Sequence, residues 1–263
     1  MPVHDNDGVS IHYEVLGDGP PLLMLAGLAG IGRSWGPQVD LFARSHSVIL
    51  PDHRGTGRSD HVREGMTIAQ HARDMAGLVR SLDIGPVAVL GSSTGGAIAQ
   101  EMAIDHGDTV SAIVLANSLA RSDAYYDRQF EVRRTMLRDS GLRATTEANS
   151  LFLFSPAFTR DHPEAVEAWI EAASRGPLDM DIALARIDMI VAHDTLDRLD
   201  RIACPTLVIA GADDHCTPPH MSRQLADSIA DAWLEVLPSG HLGFLEMPEA
   251  FHRVANDFLG ALE

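Results

Sequence analysis

Short apolar runs recur along the chain and alternate with longer segments of helical spacing. Leu22–Gly27, Ser47–Pro51, Val87–Leu90, Ala112–Ala116, Thr206–Ala210 and Leu234–Leu237 are continuous rather than alternating, the pattern of strands covered on both faces of a parallel sheet. Thr67–Leu82, Gly95–His106, Pro218–Ile229 and Pro248–Leu262 carry helical spacing between them. Val9–Val15 alternates like an antiparallel edge strand entered by a turn at Asn6-Asp7-Gly8. Alternating β and α segments predict a doubly wound α/β sheet. Residues 119–199 break the rhythm: Tyr125–Leu137, Pro163–Ala173 and Asp179–Val191 are helical patterns, and no strand is evident among them. A helical insertion between two strands of such a sheet predicts a cap over the strand ends, where ligands bind in open α/β sheets. The expected division is a core of residues 1–118 and 200–263 and a cap of residues 119–199.

The composition changes this picture little. At 263 residues, with 45% hydrophobic and 22% charged side chains, the chain is long enough to bury a full core without disulfides or metals. Its net charge of −17 and the absence of a basic stretch argue against nucleic acid as a partner. The longest nearly unbroken apolar run, Leu22 to Gly32, is too short to span a bilayer, and residues 1–10 lack the features of a secretory signal. Two cysteines, Cys204 and Cys216, cannot make a disulfide framework, and Cys204 reads as a buried small hydrophobe. A cytoplasmic protein is expected, with no membrane partner and its oligomeric state open, a homodimer included.

The chemistry centres on Gly91-Ser92-Ser93-Thr94-Gly95, a G-x-S-x-G between a predicted strand and a predicted helix. The chain must reverse within a few residues there, forcing Ser93 into a strained geometry with its hydroxyl presented. The following helix aims its N-terminal dipole at any oxyanion formed beside it. A hydroxyl is a poor nucleophile at neutral pH and needs a base, which in turn needs an orienting acid. Candidates follow two later strands at the same end of the sheet: Asp213-Asp214 after Thr206–Ala210, and His241 after Leu234–Leu237. The order Ser…Asp…His is that of an α/β-hydrolase.

Several further motifs carry the same resemblance over essentially the whole length. Pro51-Asp52-His53-Arg54-Gly55-Thr56-Gly57-Arg58-Ser59 resembles the D-x-R-G-x-G-x-S turn of α/β-hydrolases, Asp214 with Thr217-Pro218 resembles their acid-bearing D-x-x-T-P, and Gly240-His241 with Glu246-x-Pro248-Glu249 resembles their histidine loop. The resemblance implies an α/β-hydrolase fold, a mostly parallel sheet with an inserted helical cap. It also implies a Ser93–His241–Asp214 triad, with Asp214 rather than Asp213 as the acid. The oxyanion hole would use the backbone N–H groups of Thr94 and Leu28. Ala26-Gly27 stands where many members have His-Gly, and the spacing is most similar to that of 3-oxoadipate enol-lactonases.

No metal or cofactor is expected. His215, Cys216 and His220 lie near the acid loop but lack a further ligand at zinc spacing. From cap and neighbouring loops, Trp35, Tyr125, Arg133, Phe152, Phe154 and Trp169 are candidate substrate contacts. Arg133 and Arg134 are about 100° apart on a helix, so at most one faces a pocket. The cap is similar to those of enol-lactonases and aminoacrylate (carbamate) hydrolases, although Leu151-Phe152-Leu153-Phe154 replaces an arginine-bearing stretch of the lactonases. The expectation is a serine hydrolase of a small ester or lactone. Alternatives are a carbamate or amide hydrolase, a hydrolase of a C–C bond in a ring-cleavage product, and a cofactor-free haloperoxidase or perhydrolase. A non-catalytic ligand receptor on the same fold is the rival outside enzymes.

Overall fold

Asp7 and Gly8 both take positive φ, 53° and 83°, and join β1 (Val3–Asn6) to β2 (Val9–Leu16) in a two-residue hairpin. The computed structural model describes residues 2–175 and 178–262. The remaining strands are β3 (Pro21–Leu25), β4 (Ser47–Pro51), β5 (Val87–Ser92), β6 (Val110–Ala116), β7 (Thr206–Gly211) and β8 (Ala232–Leu237). They form one sheet in the order β1-β2-β4-β3-β5-β6-β7-β8. Only β1–β2 and β2–β4 pair antiparallel; every later pairing is parallel. This is the α/β sheet expected from the alternating pattern, in the mostly parallel α/β-hydrolase form that the resemblance implies.

The central strands are buried on both faces, as their continuous apolar runs require. β8 departs from that expectation: it is the sheet edge, and Trp233 and Val236 on it are about half exposed. β1 was not anticipated, because its polar VHDN sequence carries no apolar run. Helices α1 (Gln38–Phe42), α2 (Ile68–Leu82) and α3 (Thr94–Asp105) follow β3, β4 and β5. Thr67 caps α2 by accepting the Gln70 N–H.

Between β6 and β7 the chain is helical: α4 (Ala124–Leu153), α5 (Pro156–Asp161), α6 (Pro163–Ala173) and α7 (Met180–Val191). α4 runs past the expected Tyr125–Leu137 because the chain resumes helical geometry beyond a kink at Gly141 (φ 79°). Asp123 and Asp179 cap α4 and α7 through backbone N–H groups. α8 (Pro219–Ser228), α9 (Gly243–Glu246) and α10 (Pro248–Gly260) complete the chain.

Successive residues of β3 enter opposite layers, Leu23 and Leu25 facing α2, α3 and α8, and Leu22 and Met24 facing α1 and α10. The sheet is therefore covered on both sides, and α4 and α7 join the first layer while α6 joins the second. No helix among the described residues is long and apolar enough to cross a membrane.

Candidate active site

The carboxyl ends of four neighbouring parallel strands supply the site. Registers Ser92↔Ala116, Ala116↔Ile209 and Gly211↔Leu237 bring the ends of β5, β6, β7 and β8 side by side. Ser93 stands between β5 and α3 with φ 53° and ψ −115°, a backbone region that a residue with a Cβ rarely enters. Tight packing enforces it. A Cβ on Gly95 would lie 2.0 Å from the Leu25 carbonyl oxygen, and one on Gly91 would lie 2.3 Å from that of Gly95. The Ser93 N–H donates to Ala116 O at 2.9 Å, and Ser118 Oγ donates to Ser93 O at 2.8 Å. The first N–H groups of α3 have no acceptor within the helix and point back at this turn.

The loops after β7 and β8 bring Asp214 and His241 into contact. His241 Nδ1 lies 2.8 Å from Asp214 Oδ2, with both side chains buried. The same oxygen accepts from Asn117 Nδ2 at 2.7 Å and Thr217 Oγ1 at 2.8 Å, while Oδ1 accepts the N–H groups of Cys216 and Thr217 at 2.7 and 2.8 Å. Burial alone would raise the Asp214 carboxyl, but His241 and these donors outweigh it and hold it below the usual carboxylate range. Burial likewise opposes the imidazolium of His241, yet the Asp214 carboxylate and the Cys216 thiol prevail and push it up to about 10. With Nδ1 donating to Asp214, the neutral ring carries its lone pair on Nε2. Asp213 is exposed.

Glu246 braces the histidine loop: Oε1 accepts from the Gly240 and Ser155 N–H groups at 3.0 and 2.9 Å, and Oε2 accepts from Ser155 Oγ.

The loop after β3 approaches Ser93 closely, since a Cβ on Gly27 would lie 3.6 Å from that of Ser93. The Gly27 carbonyl accepts the Gly30 N–H at 2.9 Å, so the trans peptide it shares with Leu28 points the Leu28 N–H out of that turn. Arg186, on α7, donates through Nε to Leu28 O at 2.8 Å and through Nη1 to Arg54 O at 3.2 Å. Its guanidinium also lies 3.4 Å from His53 and His71, both of which burial and this cation hold well below the usual histidine range.

The D-x-R-G-x-G-x-S motif is a brace for the same loop. Asp52 accepts the N–H groups of Gly32 and Arg58 at 2.9 Å each, and Arg54 is buried in a two-pronged pair with Asp74, 2.8 Å per bond.

The remaining candidates separate into groups. Arg133 is buried, with its guanidinium over the rings of Phe130 and Phe152 at 4.6 and 5.4 Å and Nη2 3.4 Å from Cys216 Sγ. Tyr125 is half exposed and its hydroxyl donates to His215 O at 2.7 Å. Phe154 stacks on Phe158 and meets Trp169 edge-on in a separate aromatic group. Trp35 is buried against Phe244 and Phe251, in the layer shared with α10. His220 pairs with Asp123 at 2.8 Å. Asn117, Ser118 and Arg186 escaped the sequence reading as site residues, while Glu246 entered it through the histidine-loop motif without a role. Asn117 and Ser118 immediately follow a predicted strand, and that position is the signal that could have found them.

A family model described as the alpha/beta hydrolase fold matches residues 20–248. The chain is 34% identical to the protein provisionally named carbamate hydrolase RutD of Azorhizobium caulinodans, over 100% of both chains. It is 35% identical to the provisionally named non-heme bromoperoxidase BpoC of Mycobacterium tuberculosis, covering 97% of this chain and 99% of that one. Among solved structures, the enol-lactonase from Burkholderia xenovorans LB400 superposes with a TM-score of 0.89 at 26% identity, covering 98% of this chain and 100% of that one.

Proposed function

The chain belongs to the α/β-hydrolase family and is a hydrolase, and we propose that within it the chain is a serine hydrolase cleaving a small-molecule ester or lactone. The observation that carries this reading is the buried Asp214–His241 pair, 2.8 Å apart, at the same strand ends as the strained Ser93. Ser93 Oγ attacks the substrate carbonyl as His241 Nε2 takes its proton, and Asp214 holds the ring in the required tautomer. The carbonyl π pair moves to oxygen, where the Thr94 and Leu28 N–H groups receive the negative charge. As the tetrahedral adduct collapses, the C–O bond to the leaving group breaks and His241 returns the proton to that oxygen. Water, deprotonated by the same imidazole, then releases the acyl group and restores Ser93. The reading needs a small-molecule partner and no cofactor, and we place it in the cytoplasm.

A second reading is favoured by the name of the relative from Azorhizobium caulinodans: hydrolysis of a carbamate by the same three residues. A pH-stat panel of short esters, neutral and carboxylated lactones, a carbamate and a vinylogous 1,5-diketone separates them, with Ser93→Ala as the blank. Proton release on esters or lactones is expected to fall by about 10⁴-fold or more in Ser93→Ala. Retention of more than a few per cent of turnover in that variant would sink the assignment.

A further inference from the structure

The inner stripe of α4 consists of Tyr126, Gln129, Phe130, Arg133 and Leu137, all buried. An arginine in the middle of that stripe is out of place by its chemistry, since charged side chains are rarely buried unless paired. The other buried arginines are accounted for: Arg54 pairs with Asp74, and Arg186 donates to two backbone carbonyls. Neighbouring Arg134 pairs with Glu131 and Asp188. Arg133 is 6% exposed, has no carboxylate partner among the described residues, and leaves its Nε without an acceptor. Carboxylates are not scarce in this chain, where 37 acidic residues face 20 basic ones.

Two more polar atoms on the same stripe are equally orphaned, the Tyr126 hydroxyl at 0% exposure and Gln129 Oε1 at 5%. What Arg133 does touch is the catalytic neighbourhood. Its Nη2 lies 3.4 Å from the sulfur of Cys216, whose N–H donates to Asp214 and which, with Asp214, raises the His241 imidazole. Phe130 and Phe152 cover the faces of the guanidinium, and its in-plane Nε–H is left without an acceptor.

We infer that Arg133 is the specificity-determining residue of an anion subsite, and that the substrate carries a carboxylate on the part of the molecule that lies under α4. The inference rests on the serine-hydrolase reading and deepens it. A carboxylate oxygen would accept from Arg133 Nε, and the Tyr126 hydroxyl offers a further donor on the same face. Pairing in this water-poor position satisfies the guanidinium, which a neutral substrate leaves unpaired.

The test uses pH-stat rates for monomethyl succinate, glutarate and adipate, each against the neutral methyl ester in which an isopropyl group replaces the carboxylate. Fluorophosphonate labelling of Ser93 is followed in parallel. At least one carboxylated ester is expected to exceed its neutral counterpart in kcat/KM by about ten-fold or more. In Arg133→Leu that ratio should fall to within about two-fold of one, and Arg133→Lys should recover part of it. Wild-type ratios below ten-fold at all three lengths, with Ser93 labelled, overturn the anion subsite without touching the triad; this outcome needs no variant to fold. A ratio unchanged in Arg133→Leu overturns the role of Arg133. If no ester turns over, the dicarboxylate monoesters are read instead as protectants of Ser93 labelling, with the same thresholds. Failure of Ser93 to label at all overturns the serine-hydrolase reading itself.

Discussion

Five hydrogen bonds converge on the Asp214 carboxylate, and only one of them comes from His241. The other four anchor the acid to its own loop and to Asn117, so the imidazole is oriented by a fixed partner. This carries a consequence for pH. His241 has its pKa raised, to about 10, by Asp214 and Cys216 working against burial, and only the neutral ring can act as base. Hydrolysis should therefore climb with pH along a limb that lies above the ordinary histidine value of about 6.5. Asp214→Asn removes the negative charge and keeps the shape. That limb should then move to lower pH while kcat drops by about 10⁴-fold, because an amide favours the wrong tautomer. A kcat/KM profile from pH 5 to 10 on both proteins checks this, and an acid limb at the same pH in both would refute it.

Among the elements, the loop after β3 is held from two sides. The Asp52 carboxylate pins the Gly32 N–H, and Arg186 on α7, in the helical stretch between β6 and β7, grips the Leu28 carbonyl. The position of the Leu28 N–H thus depends on a helix that, among the described residues, makes no hydrogen bond to Ser93, His241 or Asp214. Arg186→Met should lower kcat by about ten- to a hundred-fold, less than outright loss of an oxyanion donor, while KM changes little. The rate of Ser93 labelling by a fluorophosphonate should fall in step, because on the proposed mechanism that reaction uses the same oxyanion hole; a fall in melting temperature with kcat intact would mean that Arg186 is only structural.

Arg186 also marks the limit of what the sequence made legible. Strands β3 to β7, the long helices α2, α3, α8 and α10 that cover them, and the Ser…Asp…His order are written in local patterns: continuous apolar runs, glycines at a tight turn, loops after strands. β4 and α6 fall on their predicted residues, and β7 gains one. Arg186 instead sits at position 8 of an apolar helical pattern and reaches residues more than 130 positions away. Nothing local distinguishes it from a solvated arginine, whereas Glu246 is marked by the motif it shares with His241 and only its contacts had to come from the structure. α5 stayed hidden because six residues with no buried position leave no periodicity to read. The exposure of β8 was equally illegible, since its place at the sheet edge is a property of the topology.

At the scale of the whole molecule, the buried histidines set where the fold is most stable. His53, His71 and His193 are buried, and burial together with nearby arginines lowers all three, His71 and His193 to about 4 and His53 well below its usual value. In the unfolded chain each would titrate near 6.5. Above that pH neither state carries the protons and the histidines cost nothing. As pH falls from 6.5 towards 4 the unfolded chain binds protons that the folded chain refuses, so stability drains away in that window. Each such histidine contributes a slope approaching about 1.4 kcal/mol per pH unit, and three together about 4. His241 acts in the opposite sense. Its raised pKa means the folded state holds the extra proton from 6.5 to about 10, and the stability gained by doing so is lost as pH rises through that range. The two limbs meet near neutrality, the acid side steeper than the alkaline side. Urea unfolding at pH 5, 6, 7 and 9 measures both. Between pH 6.5 and 5 few carboxylates titrate, so a fall of several kcal/mol there belongs to the histidines, and His193→Asn should remove about a third of it. A free energy of unfolding that stays flat from pH 7 to 5 would mean that these rings are hydrated and protonated within the fold.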